Sequence, residues 1–167
     1  TTHVHPNSDF STESVCFPEP NEFTNLSTIK KGTIEKNEWT MEDQTQYSSF
    51  EPSHRFKSAG LYDVKLISTS EFGCTDTMSK TKIALVKEKP LANFSFTQLK
   101  TIIADETRLQ MQNQSSLNAN SFIWQFYSQG INTDKNPIVS FQDTGNYPIT
   151  LMSFTKEGCS DTLTKYT

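Results

Sequence analysis

The sequence predicts an all-β chain that contains two copies of one unit. Phe72 is followed by Gly-Cys-Thr-Asp-Thr at residues 73–77. The pattern recurs as Gly-Cys-Ser-Asp-Thr at residues 158–162, where Cys159 takes the place of Cys74. A repeat at a fixed period is the first feature to look for in a sequence, because it decides the architecture. The same offset of 85 in the numbering relates three further pairs: Trp39 and Trp124, Gly60 and Gly145, and Tyr62 and Tyr147.

Length and charge limit the classes of protein that this chain could be. The 167 residues divide into units of about 80–85 residues, each able to close a core of its own. We expect residues 1–5 to be a linker or the end of a preceding repeat, residues 6–89 to form the first domain and residues 90–167 the second. With 15 basic and 19 acidic residues, the chain has no basic stripe for nucleic acid, and no apolar run is long enough for a membrane span.

Short alternating runs joined by polar turns favour strands throughout the first copy. Trp39 and Met41 share one face of such a run, and Tyr62, Val64 and Leu66 share the face of another. Two prolines make residues 16–20 a turn, and Ser70 to Gly73 is expected to be a hairpin turn. The predicted strands are residues 9–12, 22–27, 38–42, 52–56, 62–66 and 74–86.

The second copy repeats this order. Its predicted strands are residues 93–96, 109–113, 122–126, 137–141 and 147–151. Pro148 lacks a backbone N–H, so we expect it at a strand start or a bulge. Thr167 corresponds to Lys82, and we therefore expect the last strand of the second domain to be incomplete and the chain to be a piece of a longer array.

About seven short strands and one core tryptophan per copy are typical of an immunoglobulin-like β-sandwich. We expect Trp39 and Trp124 to be buried. The Gly-x-Tyr pairs, Gly60 with Tyr62 and Gly145 with Tyr147, indicate a tyrosine corner, in which the phenol hydroxyl bonds back to the chain.

Five elements in a fixed order, present in both copies, carry a resemblance to a known family. In the first copy they are Asn25-Leu26-Ser27, the Trp39 strand, residues 52–56, Gly60 to Leu66, and Gly73-Cys74-Thr75-Asp76-Thr77. The chain resembles tandem PKD (polycystic kidney disease) domains of the type found in large cell-surface or secreted proteins of Bacteroidota. That resemblance implies extracellular modules that space, display or bind, and it implies no reaction. The family's Gly-Asp-Gly turn is replaced by Glu42-Asp43-Gln44 and by residues 127–130, so any metal contact made there by relatives is not carried over.

No catalytic motif is present, and we expect no enzyme, no cofactor and no metal site. His54 has the counterpart Val139, which favours a packed, structural histidine. Asp76 and Asp161 could face a metal, but short polar side chains near turns more often bond the backbone, and we expect a structural role for both.

Three cysteines leave at least one unpaired within the chain. A disulfide between Cys16 and Cys74 would suit a secreted domain and close a long loop. In a simple sandwich, however, the first turn and the last hairpin lie at opposite ends, so both outcomes stay open. We expect Cys159 to behave as a small buried hydrophobic residue.

The sequence therefore predicts non-catalytic spacer or display modules of a large adhesin-like or gliding-type surface protein, located outside the cell. Two alternatives stay open: a carbohydrate- or protein-binding module, and accessory domains of a secreted hydrolase. Expected partners are neighbouring repeats and a surface glycan or protein. The candidate contacts are Tyr47, Phe50 and Tyr127. Thr77 and Thr162 lie in Asp-Thr-apolar triplets that resemble the O-glycosylation sites of secreted Bacteroidota proteins.

Overall fold

A computed structural model of the chain describes residues 4–99, 107–127, 129–142 and 145–167. Three of the five residues expected to precede the first domain, residues 1–3, lie outside these ranges. The chain divides into two compact units, Thr1–Glu88 and Lys89–Thr167. The described residues form fifteen strands, and none of their segments is a helix long and apolar enough to cross a bilayer.

The first unit consists of a three-stranded and a five-stranded sheet. Its strands are β1 (Phe10–Thr12), β2 (Val15–Cys16), β3 (Asn21–Asn25), β4 (Ile34–Met41), β5 (Gln46–Tyr47), β6 (Ser53–His54), β7 (Gly60–Ser70) and β8 (Thr75–Lys87). The smaller sheet has the order β1-β3-β6, and the larger has the order β2-β8-β7-β4-β5. The β2–β8 pair is parallel, whereas the other pairs are antiparallel.

The second unit has a three-stranded and a four-stranded sheet. Its strands are β9 (Phe94–Leu99), β10 (Thr107–Asn113), β11 (Ser121–Phe126), β12 (Gly130–Asn132), β13 (Ile138–Phe141), β14 (Pro148–Phe154) and β15 (Ser160–Tyr166). The sheets have the orders β13-β10-β9 and β12-β11-β14-β15. All their pairs are antiparallel.

Each unit closes one core between its two sheets, where buried apolar side chains recur at alternate positions of strands such as β4, β10, β11 and β14. Phe10 of the smaller sheet meets Trp39 of the larger one edge to face, with ring centroids 5.2 Å apart. Phe94 and Trp124 repeat this contact at 5.1 Å in the second unit. Both tryptophans are completely buried. The predicted all-β, immunoglobulin-like sandwich class is confirmed.

Some strand ends differ from the sequence-based assignment. The sequence predicts that Cys16 begins a turn, but Val15 and Cys16 form β2 and pair with Val86 and Lys87. This pairing exists because β8 continues past a β-bulge at Lys82, which has a φ of 53° and donates its N–H to the Asp63 carboxylate at 2.7 Å. The extended strand then offers β2 an edge to pair with.

Two local expectations agree with the structure. Pro148 is the first residue of β14, where its missing N–H removes no interior ladder bond. Ser70 to Gly73 forms the β7–β8 turn, with the Gly73 N–H donating to the Ser70 carbonyl at 2.9 Å. Gly73 has a φ of 79° there, a conformation that favours glycine.

Candidate functional site

The two tryptophans make equivalent hydrogen bonds in their own units. The indole Nε1–H of Trp39 donates to the Ser49 carbonyl at 3.1 Å, and that of Trp124 donates to the Asp134 carbonyl at 2.9 Å. Ser49 and Asp134 are themselves related by the offset of the repeat. A buried indole needs such an acceptor, so each tryptophan fixes the loop that follows the next strand, β5 or β12.

The repeated aspartates hold the segment that enters the first strand of each unit. Asp76 accepts the Ser8 N–H at 2.7 Å, and Asp161 accepts the Ala92 N–H at 2.8 Å. The bond from Ser8 is the main reason that the pKa of Asp76 is lowered. Burial alone would raise the pKa of Asp161, but the bonds from Ala92 and the Lys89 ammonium outweigh it and lower that pKa. Both carboxylates are thus engaged with the backbone.

A pair of lysines, which the sequence analysis did not single out, reinforces the same junction. The Lys80 ammonium donates to the Phe10 carbonyl at 2.6 Å, pairs with the Asp9 carboxylate at 2.6 Å and lies 5.0 Å from the centre of the Phe10 ring. Lys165 likewise donates to the Phe94 carbonyl and lies 5.0 Å from the centre of the Phe94 ring. The repeat in the sequence could have identified them, because each lysine lies four residues after the aspartate of its Asp-Thr pair and the two lysines are related by the offset of 85.

The Gly-x-Tyr pairs form tight corners. The Tyr62 hydroxyl donates to the Ser58 carbonyl at 2.7 Å, which is the bond expected of a tyrosine corner. The Tyr62 ring stacks on Phe56 with ring centroids 3.9 Å apart. In the second unit the Tyr147 ring lies so close to Gly145 that a Cβ there would be 2.9 Å from the ring carbon Cζ. A side chain at position 145 would therefore have to displace the Tyr147 ring.

A polar cluster surrounds His54 in the first unit, whose counterpart in the second unit is Val139. The His54 Nδ1 is hydrogen-bonded to the Tyr47 hydroxyl at 2.9 Å, and Nε2 lies 3.5 Å from Asp43 Oδ2 without a hydrogen-bond partner. His54 is buried, and burial lowers its pKa while the Asp43 charge opposes the shift. Hydrogen bonds from Thr45 lower the pKa of Asp43. The arrangement holds a neutral imidazole in the core, as expected for a packed histidine.

The three aromatic candidates for ligand contact differ in availability. Tyr47 is half-buried, and its hydroxyl is engaged with His54. Phe50 of the first unit is 63% exposed. Tyr127 of the second unit is 57% exposed, and its ring lies 5.8 Å from that of Tyr147. Of the three, Phe50 and Tyr127 present most of their surface to solvent.

The threonines of the Asp-Thr-apolar triplets are accessible. Thr77 lies on β8 and Thr162 on β15, and both are exposed at outward positions of their sheets. Their aspartate neighbours face the opposite side and bond the backbone. The hydroxyls of Thr77 and Thr162 could therefore be reached by a modifying enzyme.

The disulfide considered between Cys16 and Cys74 is not formed. Cys74 is a free thiol, whereas Cys16 and Cys159 are both disulfide-bonded. Cys16 lies opposite Lys87 at the far end of β8, and Cys74 immediately precedes the first residue of that strand. An extended strand of this length spans about 40 Å, far more than a disulfide can bridge. Cys159 is buried as expected, but its sulfur is disulfide-bonded, so the expectation of a small hydrophobic residue is incomplete.

Within the described ranges, no three His, Cys, Asp or Glu side chains come together in a group that could hold a metal ion. The charged groups of the repeated positions are instead engaged with backbone groups of their own unit. These contacts therefore hold the strands of each unit together. None of them places a nucleophilic side chain beside a general base.

Comparison with known proteins identifies a family for part of the chain. Residues 3–85 match the family model of the PKD domain. The PKD1 domain of the Vibrio cholerae metalloprotease PrtV is 27% identical and covers 47% of this chain and 94% of its own, with a TM-score of 0.40. The PKD1 domain of Vibrio anguillarum Epp is 24% identical and covers 50% and 96%, with a TM-score of 0.45.

A third solved structure covers more of the chain at lower identity. The fibronectin(III)-like modules of Clostridium thermocellum CbhA are 15% identical and cover 96% of this chain and 93% of their own, with a TM-score of 0.43. No curated protein matches the sequence.

Proposed function

Because the chain contains a PKD-type domain at residues 3–85, we propose that it is a non-catalytic tandem of two such domains, acting as a spacer or display segment of a larger extracellular surface protein. The second unit supports the tandem arrangement through its equivalent strands and its equivalent tryptophan, aspartate and lysine contacts. The disulfide-bonded state of Cys16 and Cys159 supports a location outside the reducing cytosol.

One observation carries the spacer proposal. The residues that recur at the offset of the repeat are engaged in holding their own unit together: the tryptophans fix a loop, and the aspartates and lysines fix the first strand. Repetition at these positions therefore serves the stability of each module. A module whose repeated residues serve stability can add length to a chain without binding a ligand.

The connection between the units favours restricted bending. Residues 87–90 read Lys-Glu-Lys-Pro and contain no glycine or serine. Flexible linkers are rich in glycine and serine, whereas proline stiffens the chain and biases the residue before it toward extended geometry. A short, stiff connection is what a spacer requires.

Small-angle X-ray scattering on the chain tests this proposal. We expect an elongated particle with a narrow distribution of sizes. Inserting Gly-Ser-Gly-Ser after Glu88 leaves the Lys87 strand pairing and the Lys89–Asp161 contact in place, should broaden that distribution and provides the matched control. A compact particle, or a broad distribution already present in the unaltered protein, would overturn the spacer proposal and favour the binding-module alternative.

A further inference from the structure

The four-stranded sheet of the second unit has an outer face without charged side chains. This face consists of the alternate residues of β11, β12, β14 and β15 that point away from the core, all of them described by the structure. Its centre is formed by cross-strand rows, in which Ile123, Met152 and Thr162 lie side by side, as do Gln125, Thr150 and Thr164. Phe154 and Tyr166 lie at its two ends.

The first unit provides an internal control, because its corresponding face is charged. There Glu38 lies beside Ile67, and Lys65 lies beside Thr40. Lys36 and Glu38 form an ion pair with 2.8 Å between Nζ and Oε1. The second copy replaces each of these charges: Lys36 by Ser121, Glu38 by Ile123, and Lys65 by Thr150.

Apolar groups also accumulate on the face of the second unit. Thr69 of the first unit corresponds to Phe154, and Gln46 corresponds to Ile131. Ile131 is 69% exposed and Tyr166 is 61% exposed. Contiguous exposed apolar patches mark interaction sites on proteins, whereas apolar residues scattered singly over a surface do not.

Hydroxyl groups give the face its polar character. The Thr150 and Thr164 hydroxyls are hydrogen-bonded to each other at 2.8 Å, and Thr162 and Thr164 are exposed. Each hydroxyl can donate one hydrogen bond and accept two. The face thus combines apolar patches with uncharged donors and acceptors, which suits a neutral, hydroxyl-rich partner.

The size of the face argues against a second copy as the partner. Its three longer strands, β11, β14 and β15, span about 14 by 23 Å, or about 300 Å². Two such faces packed together would bury roughly 600–800 Å² even with β12 included, below the ~1,000 Å² that a specific protein interface needs. A sugar chain is not subject to that threshold, which applies to contacts between two folded proteins.

We propose that the outer face of the second unit binds a neutral polysaccharide, with the apolar side chains contacting the C–H surfaces of the sugar rings and the threonine hydroxyls bonding the sugar hydroxyls. Polysaccharide binding goes beyond the role of a spacer. It does not depend on the spacer proposal, because the face lies wholly within the second unit and is the same whether the connection between the units bends or not.

Native gel electrophoresis through polysaccharide tests the proposal. The probes are neutral hydroxyethylcellulose, glucomannan and soluble starch, with carboxymethylcellulose as the acidic counterpart of the first. We expect at least one neutral polymer to retard the protein. The double variant Ile123→Glu/Thr150→Lys places the first unit's charges on this face and leaves the net charge unchanged. It should bind at least tenfold more weakly.

The control is the reciprocal double variant, Glu38→Ile/Lys65→Thr, which also preserves net charge and should keep the retardation. Phe154→Thr, which introduces the first unit's residue, gives a second test should the charged variant fail to fold by circular dichroism. The proposal is overturned if no neutral polymer retards the protein, if only carboxymethylcellulose does, or if both variants of the second unit bind as the unaltered protein does. Concentration-dependent dimerisation that the Ile123→Glu/Thr150→Lys change abolishes would assign the face to a second copy instead.

Discussion

At the scale of single residues, His54 distinguishes the first unit from the second, which has Val139 at this position. The imidazole is buried against Tyr47 and Phe56, with ring centroids 5.8 and 4.4 Å away, and its pKa is lowered by that burial. The second unit has Val139 at this position, so a histidine is not needed to close such a core. The consequence of keeping one is a dependence of stability on pH.

We expect His54 to make the first unit less stable as the pH falls from about 6.5. Its folded pKa lies below the unfolded value of 6.5, so the unfolded chain binds more protons between these two values. Stability is lost as the pH falls through this window and becomes constant, for this group, below the folded pKa. His54→Val should remove that slope. Urea unfolding between about pH 5 and 8 measures it.

Asp43 complicates the measurement only at lower pH. Its pKa is lowered by the Thr45 hydrogen bonds, so its contribution is present above the unfolded value of 3.8 and is lost on further acidification. The difference between the unaltered protein and His54→Val isolates the histidine. Equal slopes in the two proteins would contradict the assignment.

At the scale of the elements, each last strand holds the entry to its first strand through an aspartate and a lysine. Asp76 and Lys80 on β8 contact the backbone of Ser8 and Phe10, and Asp161 and Lys165 repeat this from β15. The contacts join the two ends of each unit's sequence, because the closing strand lies beside the segment that opens the sandwich.

We expect Asp76→Ala to loosen this junction. Removal of a charged acceptor from the Ser8 N–H should cost about 1–3 kcal/mol of the free energy of unfolding of the first unit. The Ser8 amide should also exchange with solvent faster. Hydrogen exchange followed by NMR tests both points, with the exposed Glu35→Ala as the control. Protection of Ser8 that stays unchanged would show that the aspartate is dispensable.

At the scale of the whole molecule, the sequence left the Cys16–Cys74 disulfide open, and the expectation that Cys159 is only a small buried hydrophobic residue is wrong. Cys74 and Cys159 occupy equivalent positions of the repeat, yet Cys74 is free and Cys159 is disulfide-bonded. The two cysteines are equivalent in their local sequence, whereas disulfide formation depends on which other cysteine lies near each sulfur in space.

Thiol labelling tests this assignment. The protein denatured without reductant should take up one iodoacetamide per chain, at Cys74, and three after reduction. Peptide mapping by mass spectrometry locates the label. The variant Cys74→Ser should take up none without reductant. Label on Cys16 in the unreduced protein would contradict the structure.

The sequence alone determined most of the strands, the turns and the repeat. Period-two alternation around Trp39 and Tyr62, and glycine or proline at the turns, act over a few residues and can be read locally. The same locality explains why the ends of the strands were misplaced. Whether Val15 and Cys16 pair or turn depends on how far β8 extends, and that strand begins only at Thr75, near the other end of the unit's sequence.

Only the tertiary structure decided which side chains meet. Sheet pairing sets Ile123 beside Met152 and Thr162, and it sets Lys80 over Phe10. The loss of charge from one face of the second unit is therefore invisible along the chain, where Ile123, Thr150 and their neighbours alternate with core residues. A face of a sheet is assembled from strands far apart in sequence, so its chemistry exists only once their register is fixed.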